Sequence, residues 1–238
     1  MIRIKLLMVL VLVAATTTAN AQFGKTVYAR GPVTTSERQA GSFNALKVST
    51  GIDVYLTQGE KESIRLEADE NLHEYIITEV KGGVLNIYSE VNIRNATARK
   101  VYVTMKDIRS IKTSSAGDVT GMNEIVTDIL ELSTSSAGDI NLDVKAREIN
   151  ATTSSSGDIT LRGTADKLFA GLSSAGDMKA FELKVREAEV TVSSAGDAKI
   201  NVSERLKARA SSAGDIHYMG NPKFVDAHSS SAGSIRAY

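Results

Sequence analysis

The string Ser114-Ser115-Ala116-Gly117-Asp118 decides the fold, because close copies of it recur throughout the second half of the chain. The other copies are Ser135 to Asp139, Ser154 to Asp158, Ser173 to Asp177, Ser193 to Asp197 and Ser211 to Asp215, and a last copy, Ser230 to Ser234, lacks the aspartate. The glycines of successive copies lie 21, 19, 19, 20, 18 and 19 residues apart. Such even spacing indicates a repeated structural unit.

Residues on both sides of each string alternate between apolar or small and polar, with the period of two that is typical of β-strands. In the first copy, this alternation places Ile111, Thr113, Ser115 and Val119 on the inward side. We expect the glycine to supply a positive φ at the corner between two strands. We also expect the inward Ser and Thr hydroxyls to form a hydrogen-bonded column from one repeat to the next.

The repeat length favours an all-β fold, a parallel β-helix (β-solenoid) with rungs of about 19 residues. One strand enters each corner, a second leaves it, and a short segment such as Lys145–Arg147 or Ser203–Arg205 returns the chain. A β-propeller needs about 40 residues per blade, and a leucine-rich repeat needs Leu and Asn at fixed offsets, so neither fits. Seven rungs at about 4.8 Å each predict a rod roughly 30 Å long.

Residues 1–21 are typical of a secretory signal peptide. Arg3 and Lys5 precede the apolar run Leu6 to Ala15, and Ala19-Asn20-Ala21 forms a small-x-small cleavage site. An apolar run of about 10 residues is too short to cross the roughly 30 Å hydrocarbon core of a membrane. No later segment is long and apolar enough to span one either. We therefore expect an exported protein, located in the periplasm, on the cell surface or in the medium.

The remaining chain divides by the regularity of its pattern. Residues 22–42 are expected to form a flexible lead or an N-terminal cap, and residues 43–238 a single β-helix domain. Within that domain, residues 43–112 are expected to form three or four irregular rungs, with a short helical turn near Asn71 to Tyr75, and residues 113–238 the regular repeats. A separate small β-domain over residues 43–112 is the alternative.

Composition narrows the function classes. The 238 residues include 28 Lys and Arg against 28 Asp and Glu, so no basic excess points to a nucleic-acid partner. The chain has no Cys, which excludes disulfides, thiolate metal sites and cysteine nucleophiles. It has no Trp, and aromatic residues make up 5% of the chain, so we expect a narrow interior filled by small side chains.

The repeat aspartates are the sharpest candidate for a site. Six of them lie in register: Asp118, Asp139, Asp158, Asp177, Asp197 and Asp215. Like charges about 5 Å apart repel by about 1 kcal/mol per pair even in water, which would favour neutralisation by Ca²⁺. Each carboxylate could instead accept local backbone N–H groups at its turn. Calcium-binding β-rolls carry their acidic turns about every nine residues, so this lower density favours the turn role. We expect no cofactor.

No pattern in the chain indicates catalysis. His73, His217 and His228 have no nucleophile-elbow or metal-binding motif around them, and the Ser pairs recur too regularly to include one catalytic serine. Some β-helices are polysaccharide lyases or hydrolases, and outward bases are present at Lys179, Lys199, Lys207 and Arg209. An inserted loop around such a site is excluded by the even repeat spacing.

Two strings in the first half of the chain, together with the serial corners, resemble a known family. Residues 48–56 read Val-Ser-Thr-Gly-Ile-Asp-Val-Tyr-Leu, and residues 67–72 read Glu-Ala-Asp-Glu-Asn-Leu. In this order they resemble the exported bacterial family described as putative autotransporter adhesin, head GIN domain, over about residues 40–237. The resemblance implies a right-handed β-helix in secreted or envelope proteins of Bacteroides-like bacteria. The family has no established catalytic residues to carry over.

Together these observations predict a non-enzymatic envelope protein that binds a glycan or another protein. A structural protein that self-assembles into homo-oligomers through its solenoid ends is one alternative, and a polysaccharide-active enzyme is a second. We expect no nucleic-acid partner.

Overall fold

The computed structural model describes residues 24–39 and 41–238, so the signal peptide predicted over residues 1–21 lies outside the described residues. The first strands are β1 Thr26–Tyr28, β2 Val33–Arg38, β3 Ala45–Val48, β4 Asp53–Gln58, β5 Ser63–Asp69, β6 Ile76–Lys81, β7 Val84–Ser89, β8 Asn92–Arg94 and β9 Arg99–Met105. The rest are β10 Ser110–Thr113, β11 Asp118–Gly121, β12 Ile125–Thr134, β13 Ile140–Thr153, β14 Asp158–Leu172, β15 Asp177–Val192, β16 Asp197–Ala210, β17 Asp215–Met219, β18 Phe224–Ser229 and β19 Ser234–Ala237. One 3₁₀ helix, Glu70–Leu72, interrupts them at the predicted helical turn.

The repeat region is a β-solenoid of about seven turns, as the sequence predicts. From β10 to β19 the strands of consecutive rungs pair in parallel, with equivalent repeat positions side by side, as in Ile140 beside Ile159 and Ile159 beside Met178. In the central rungs, one long strand runs from each corner to the next. It bends at Arg147, Asp166 and their equivalents, where the rung-to-rung pairing skips one residue. Each rung therefore returns through the short segment that the sequence predicts.

The core lies inside the coil and follows the predicted alternation. Ile140, Leu142 and Val144 are buried after one corner, and Ile149 and Ala151 are buried before the next. Phe43 is the one Phe or Tyr side chain that reaches full burial among the described residues. The interior is filled instead by Leu, Ile, Val, Ala and Met, which confirms the narrow core expected from the low aromatic content.

The corner turn, meaning the Ser-Ser-Ala-Gly turn of each repeat, has a different conformation from the one predicted. Its second and third residues have positive φ, for example 53° at Ser155 and 65° at Ser156, whereas the following Gly157 does not. The Gly157 N–H donates to the Ser154 carbonyl at 3.3 Å. Two central residues with positive φ and this closing bond define a type I′ turn. The expectation that glycine supplies the positive φ is therefore wrong.

Glycine is required at the corner turn because adjacent rungs approach closely there. A Cβ on Gly157 would lie 2.6 Å from Thr134 Oγ1 and 3.0 Å from the Gly138 carbonyl oxygen, both in the preceding rung. Real Cβ atoms do not approach other atoms so closely. The missing side chain, and not backbone freedom, explains this glycine. The turns also pair with each other, since the Ser156 N–H donates to the Ser174 carbonyl of the next rung at 3.2 Å.

The predicted hydroxyl column is also wrong. Thr113, Thr134 and Thr153 point inward and are buried, but their Oγ1 atoms make no hydrogen bond. They pack against the corner glycines of the next rung instead. The second serine of each string, placed inward by parity, is exposed because the chain turns before it. In later rungs the threonine position is taken by Leu172, Val192 and Ala210, which are apolar.

Residues 43–112 join the same sheet but do not stack in chain order. The rung made by β3 and β4 lies between the rung of β10 and β11 and the rung of β7 and β9. Beyond that end, β6 pairs with β7 and β5 with β9, both antiparallel. The two-residue connection Gly82-Gly83 explains the first of these pairs, since so short a loop can join only antiparallel strands. The irregularity expected of these rungs therefore takes the form of strands that pair out of chain order, two of the pairs being antiparallel.

Within residues 22–42, expected as a flexible lead or cap, two strands are described. β1 pairs with β8, and β2 pairs antiparallel with β5. Near them, the buried Asp69 accepts the N–H groups of Thr97 and Ala98 at 2.8 and 3.1 Å. Burial raises the pKa of Asp69, but these hydrogen bonds outweigh it and leave the pKa below its ordinary value. No helix within residues 24–39 and 41–238 has the length and apolar character needed to cross a membrane.

Candidate functional site

The six predicted aspartates lie in one column along the rod, as expected from their register. Three of the carboxylates accept a backbone N–H of the next rung: Asp118 Oδ1 accepts the Asp139 N–H at 3.1 Å, and Asp139 Oδ1 accepts the Asp158 N–H at 3.1 Å. Asp177 Oδ1 accepts the Asp197 N–H at 3.2 Å. These contacts are to the next rung and not to the aspartate's own turn, so the local turn role stays a prediction. Asp53 pairs beside Asp118 and so extends the column by one member. The string Gly51-Ile52-Asp53 already suggests that Asp53 belongs to it.

The column carries uncompensated negative charge at some rungs. Burial raises the pKa of Asp118, and the charges of Asp139 and Asp53 add to that shift, while the Asp139 N–H opposes it. Burial likewise raises the pKa of Asp177. At Asp158 the neighbouring Lys179 ammonium donates to Oδ2 at 2.8 Å, which neutralises the carboxylate locally. Where no base faces the column, the charged form of its carboxylates is therefore disfavoured.

In the described part of the chain, no group of three or more His, Asp or Glu side chains is arranged to hold a metal ion. Adjacent repeat aspartates direct an oxygen at backbone N–H groups and not toward a common centre. The calcium hypothesis stays a prediction, with a simple test. A Tm unchanged by millimolar Ca²⁺ or by a chelator would exclude it.

The three histidines are far apart and play different parts. His73 is hydrogen-bonded to Thr34 Oγ1 at 3.0 Å and Ser36 Oγ at 2.9 Å, so it ties β2 to the turn after the 3₁₀ helix. His217 is half-buried on the outer side of β17, and His228 is exposed on β18. Of the outward bases, Lys207 pairs with Glu189 and Arg209 with Asp226. These residues do not converge on a catalytic constellation.

A concave strip at the bend of the rungs is the candidate site, because its lining is drawn from five consecutive rungs. Its floor is formed by one residue from each of four consecutive rungs, Thr127, Ala146, Ala165 and Val185, which pair side by side. We call this the bend groove. The depression encloses about 520 Å³ and lies on the outside of the coil. Because strands are about 4.8 Å apart, the depression is about 19 Å long from Thr127 to Ser203 in the fifth rung.

One wall of the bend groove is a ladder of alternating charge, formed by Asp128, Arg147, Asp166, Arg186 and Glu204. Arg147 binds Asp128 through two hydrogen bonds, of 2.7 and 3.1 Å. Arg186 binds Glu204 through two more, of 3.3 and 3.1 Å, and lies 3.8 Å from Asp166. The hydrogen bond from Arg147 lowers the pKa of Asp128, and that from Arg186 lowers the pKa of Glu204. The charges of this wall are therefore paired with one another and held in place, with one more acid than base.

The opposite wall is formed by the exposed side chains of Val126, Lys145, Thr164 and Lys184, again one from each rung. Neither lysine forms a salt bridge with any residue that the structure describes. The two lysines are two rungs, or about 10 Å, apart. Along this wall, two ammonium groups are available to a ligand.

Gln58 fixes one end of the bend groove. Its side-chain Oε1 accepts the Val126 N–H at 2.7 Å, and its Nε2 donates to the Val126 carbonyl at 3.0 Å. Asn123 closes the same loop with hydrogen bonds to the Gln58 backbone. A second depression of about 560 Å³ continues beyond Val126, with Asp107, Asp128 and Glu131 against a single Arg109 in its lining. The surface therefore changes from basic to acidic at this point.

Sequence reasoning singled out Lys145–Arg147 as a return segment but missed the groove that this segment lines. The necessary pattern is present in the sequence, because aligning the rungs on their corner glycines brings the alternating charges of the ladder into one column. The depth of the groove depends on how the chain bends, which the alternation of apolar and polar residues does not specify.

The last rung differs from the others in being covered on one side only. Within the described residues β18 pairs with β16, and β19 pairs with β17. The side chains of Phe224, Val225 and Tyr238 are 62%, 46% and 86% exposed. This rung, residues 224–238, presents apolar side chains and strand edges that are open to pairing.

The solved structures most informative here share the fold over nearly the whole chain. An adhesin-like protein of Bacteroides fragilis, described as a putative adhesin, aligns with a TM-score of 0.85 and 22% identity, covering 89% of this chain and 100% of its own. A putative lipid binding protein of Parabacteroides distasonis aligns at 0.76 and 22% identity, over 90% and 100%. A putative adhesin of Parabacteroides merdae aligns at 0.74 and 22% identity, over 90% and 99%. No curated protein matches the chain.

At such identities these structures establish the shared fold alone, and their names describe adhesins and a binding protein rather than enzymes. The family model described as "Putative auto-transporter adhesin, head GIN domain" matches residues 42–222, which is most of the chain. This chain belongs to the auto-transporter adhesin, head GIN domain family.

Proposed function

We propose that the protein is an exported, non-enzymatic binding module of the cell envelope, and that its bend groove holds a segment of a glycan or of another protein. The observation that carries the proposal is the groove itself, whose floor is built from one small or apolar residue of each of four consecutive rungs. A floor that repeats along the rod suits an extended ligand better than a compact one. The stacked strands make the surface rigid before the ligand arrives, which limits the entropy lost on binding.

Several observations support export and the absence of catalysis. The family is described as adhesins, and the first 21 residues have the pattern of a secretory signal peptide. The titratable groups on the outer faces are paired with neighbours or solvated, and the histidines are dispersed. Export is tested by the intact mass of the protein recovered from its native host, which should begin at Gln22.

The groove is tested with a side chain that fills it. Thr164→Trp places a large ring on the wall of the groove at an exposed position, and Thr191→Trp makes the same change at an exposed position on another face of the rod. We expect the wild type and Thr191→Trp to bind the same probes on a glycan array and a panel of purified extracellular proteins. Thr164→Trp should lose that binding. Equal binding by both variants, or no binding by the wild type, would overturn the proposal.

The open last rung supports a second candidate function, self-assembly into a tail-to-tail dimer. The other end of the solenoid carries the antiparallel strands β2, β5 and β6, so a head-to-tail contact would have to join strands of a different arrangement from those of the last rung. Two copies related by a twofold axis would each pair their last rung with the other and bury Phe224 and Val225. Light scattering after size exclusion tests this. A dimer that Val225→Lys disrupts and Val126→Lys does not would support it, and a monomeric wild type would exclude it.

A further inference from the structure

The charge distribution of the bend groove identifies a ligand class, on the premise that the groove is the binding surface proposed above. We propose that the groove binds a linear acidic polysaccharide that carries a carboxylate on every second sugar. The inference rests on the unpaired lysine wall, the opposite wall whose arginines are already paired, the floor without aromatic residues and the acidic surface at one end.

The lysines provide the charge and the spacing. Lys145 and Lys184 are exposed, lie on the same wall and form no salt bridge within the described residues. Thr164 occupies the rung between them, so successive ammonium groups are about 10 Å apart. One disaccharide of an extended chain is of similar length, so carboxylates on alternate sugars would each meet one lysine. In a polysaccharide with a carboxylate on every sugar, one carboxylate in two would face Thr164 instead of a lysine.

The arginines of the opposite wall are committed to other partners. Arg147 and Arg186 each donate two hydrogen bonds to a carboxylate, Asp128 or Glu204, and both arginines have raised pKa values because of those bonds. They therefore shape the groove while the lysines supply its free positive charge. Taken together the two walls hold four bases and three acids, so the excess charge is positive and located on the lysine side.

The floor argues against two other ligands. It is made of Thr127, Ala146, Ala165 and Val185, which offer no aromatic ring for the stacking contacts that would hold a neutral sugar without charge. The backbone groups of the floor are already used in rung-to-rung pairing, so a peptide cannot add to the sheet here as an extra strand. An acidic polysaccharide needs neither contact, since its hydroxyls and carboxylates can reach the side chains of both walls.

The acidic depression beyond Val126 sets the limit of the site. Asp107 and Glu131, which form no salt bridge within the described residues, would repel a polyanion there, so the ligand should extend from Val126 toward Ser203 and no further. Four rung intervals span about 19 Å, which accommodates about two disaccharides. A tetrasaccharide should therefore bind with most of the affinity that the polymer has for a single binding site.

The experiment compares defined probes by isothermal titration calorimetry at low salt. The probes are a hyaluronate tetrasaccharide, a neutral chitin tetrasaccharide and a tetraglutamate peptide. We expect the wild-type protein to bind the hyaluronate probe at least about tenfold more tightly than the other two, a difference of about 1.4 kcal/mol. The double variant Lys145→Glu, Lys184→Glu should lose this preference.

The control variant is Lys47→Glu, Lys112→Glu, which makes the same change in net charge at two exposed lysines of neighbouring rungs on another face. It should bind the hyaluronate probe within about twofold of the wild type, apart from the general effect of net charge, which added salt suppresses. Equal loss in both double variants would overturn the proposal and indicate nonspecific attraction. Equal affinity for tetraglutamate would overturn it in favour of an acidic peptide.

The outcomes separate this inference from the proposed function. If the wild type binds neutral glycans in a manner that Thr164→Trp abolishes, while hyaluronate binds no better, the groove is a binding site and the assignment to acidic polysaccharides is wrong. If no probe responds to Thr164→Trp, the groove itself is not the binding surface, and both proposals fail.

Discussion

Replacing Gly157 by Ala tests why the repeat needs its glycine. A Cβ at this position would lie 2.6 Å from Thr134 Oγ1, 2.8 Å from Thr134 Cβ and 3.0 Å from the Gly138 carbonyl oxygen. The strands on both sides of the corner turn hold the two rungs at their normal spacing, so the preceding rung has little freedom to move away. Overpacking of this kind costs about 1–3 kcal/mol. At about 2–4 °C per kcal/mol for a domain of this size, the Tm should fall by about 2–12 °C.

The matched control is Gly171→Ala, one rung further along the chain. A Cβ at Gly171 would meet nothing within 4 Å, and Gly171 does not have a positive φ. This variant should be as stable as the wild type or more stable by about 0.5 kcal/mol, since Ala restricts the unfolded chain. Thermal and urea unfolding followed by circular dichroism measure both variants. A Gly157→Ala protein as stable as Gly171→Ala would refute the close-approach explanation.

A third variant separates close approach from backbone freedom. Ser156 has a φ of 65°, a conformation that costs a non-glycine residue about 1–2 kcal/mol. Ser156→Gly should remove that cost, partly offset by about 0.5–1 kcal/mol of additional entropy in the unfolded state, and raise the Tm slightly. If Gly157 were the residue in need of a positive φ, Ser156→Gly would only lower stability.

Four further outcomes are expected. Thr134→Val should raise the free energy of unfolding by about 1 kcal/mol, because it removes a buried hydroxyl that has no hydrogen-bond partner. If that hydroxyl were hydrogen-bonded, urea unfolding would show no increase in stability. Asp118→Asn should raise the Tm by about 2–4 °C at pH 7, because it removes a partly buried charge and its repulsion by Asp139 and Asp53, together worth about 1 kcal/mol. The pKa of Asp118 is raised in the folded protein, so the gain in Tm should disappear below pH 3.8, the pKa of the carboxyl in the unfolded chain. A gain in Tm that persists below that pH would contradict the charge explanation. Arg186→Glu places three acids in succession in the charge ladder and should therefore lower the Tm at low salt. The loss of Tm should be smaller in 1 M NaCl, which screens the repulsion. A loss of Tm that does not depend on salt would indicate a packing defect. Because the folded pKa values of Asp128 and Glu204 are lowered, the ladder should stabilise the protein above pH 4.5 and lose that effect as the pH falls through the lowered values, which Tm measured against pH would show.

The sequence was most informative where one physical rule has one structural consequence. Alternation at Ile140, Leu142 and Val144 means burial of every second residue, and even glycine spacing means rungs in register. Both expectations are confirmed. The rung-to-rung column of aspartates follows from the same register, and it includes Asp53.

The errors arose where one residue type serves two purposes. A glycine at a corner provides either a positive φ or the absence of a Cβ, and the sequence does not distinguish the two. In this turn Ser155 and Ser156 adopt the positive φ while Gly157 makes the close approach. Inward threonines likewise have either hydrogen-bonding or packing roles, and Thr134 packs.

The arrangement of residues 43–112 was predictable as strands but not as pairs. Alternation identifies a strand, whereas its partner depends on the length and conformation of the connections. Gly82-Gly83 forces an antiparallel hairpin between β6 and β7, and the β3–β4 rung is then enclosed between rungs that come later in the chain. The bend groove was missed for a related reason, since its shape depends on where each long strand bends.

The most direct test of the account is a crystal structure of the protein soaked with the hyaluronate tetrasaccharide. We expect one oligosaccharide lying along the bend groove over Ala146 and Ala165, with its carboxylates beside Lys145 and Lys184 and its end short of Asp107. An oligosaccharide bound on another face, or running into the acidic depression instead of along the lysine wall, would contradict it.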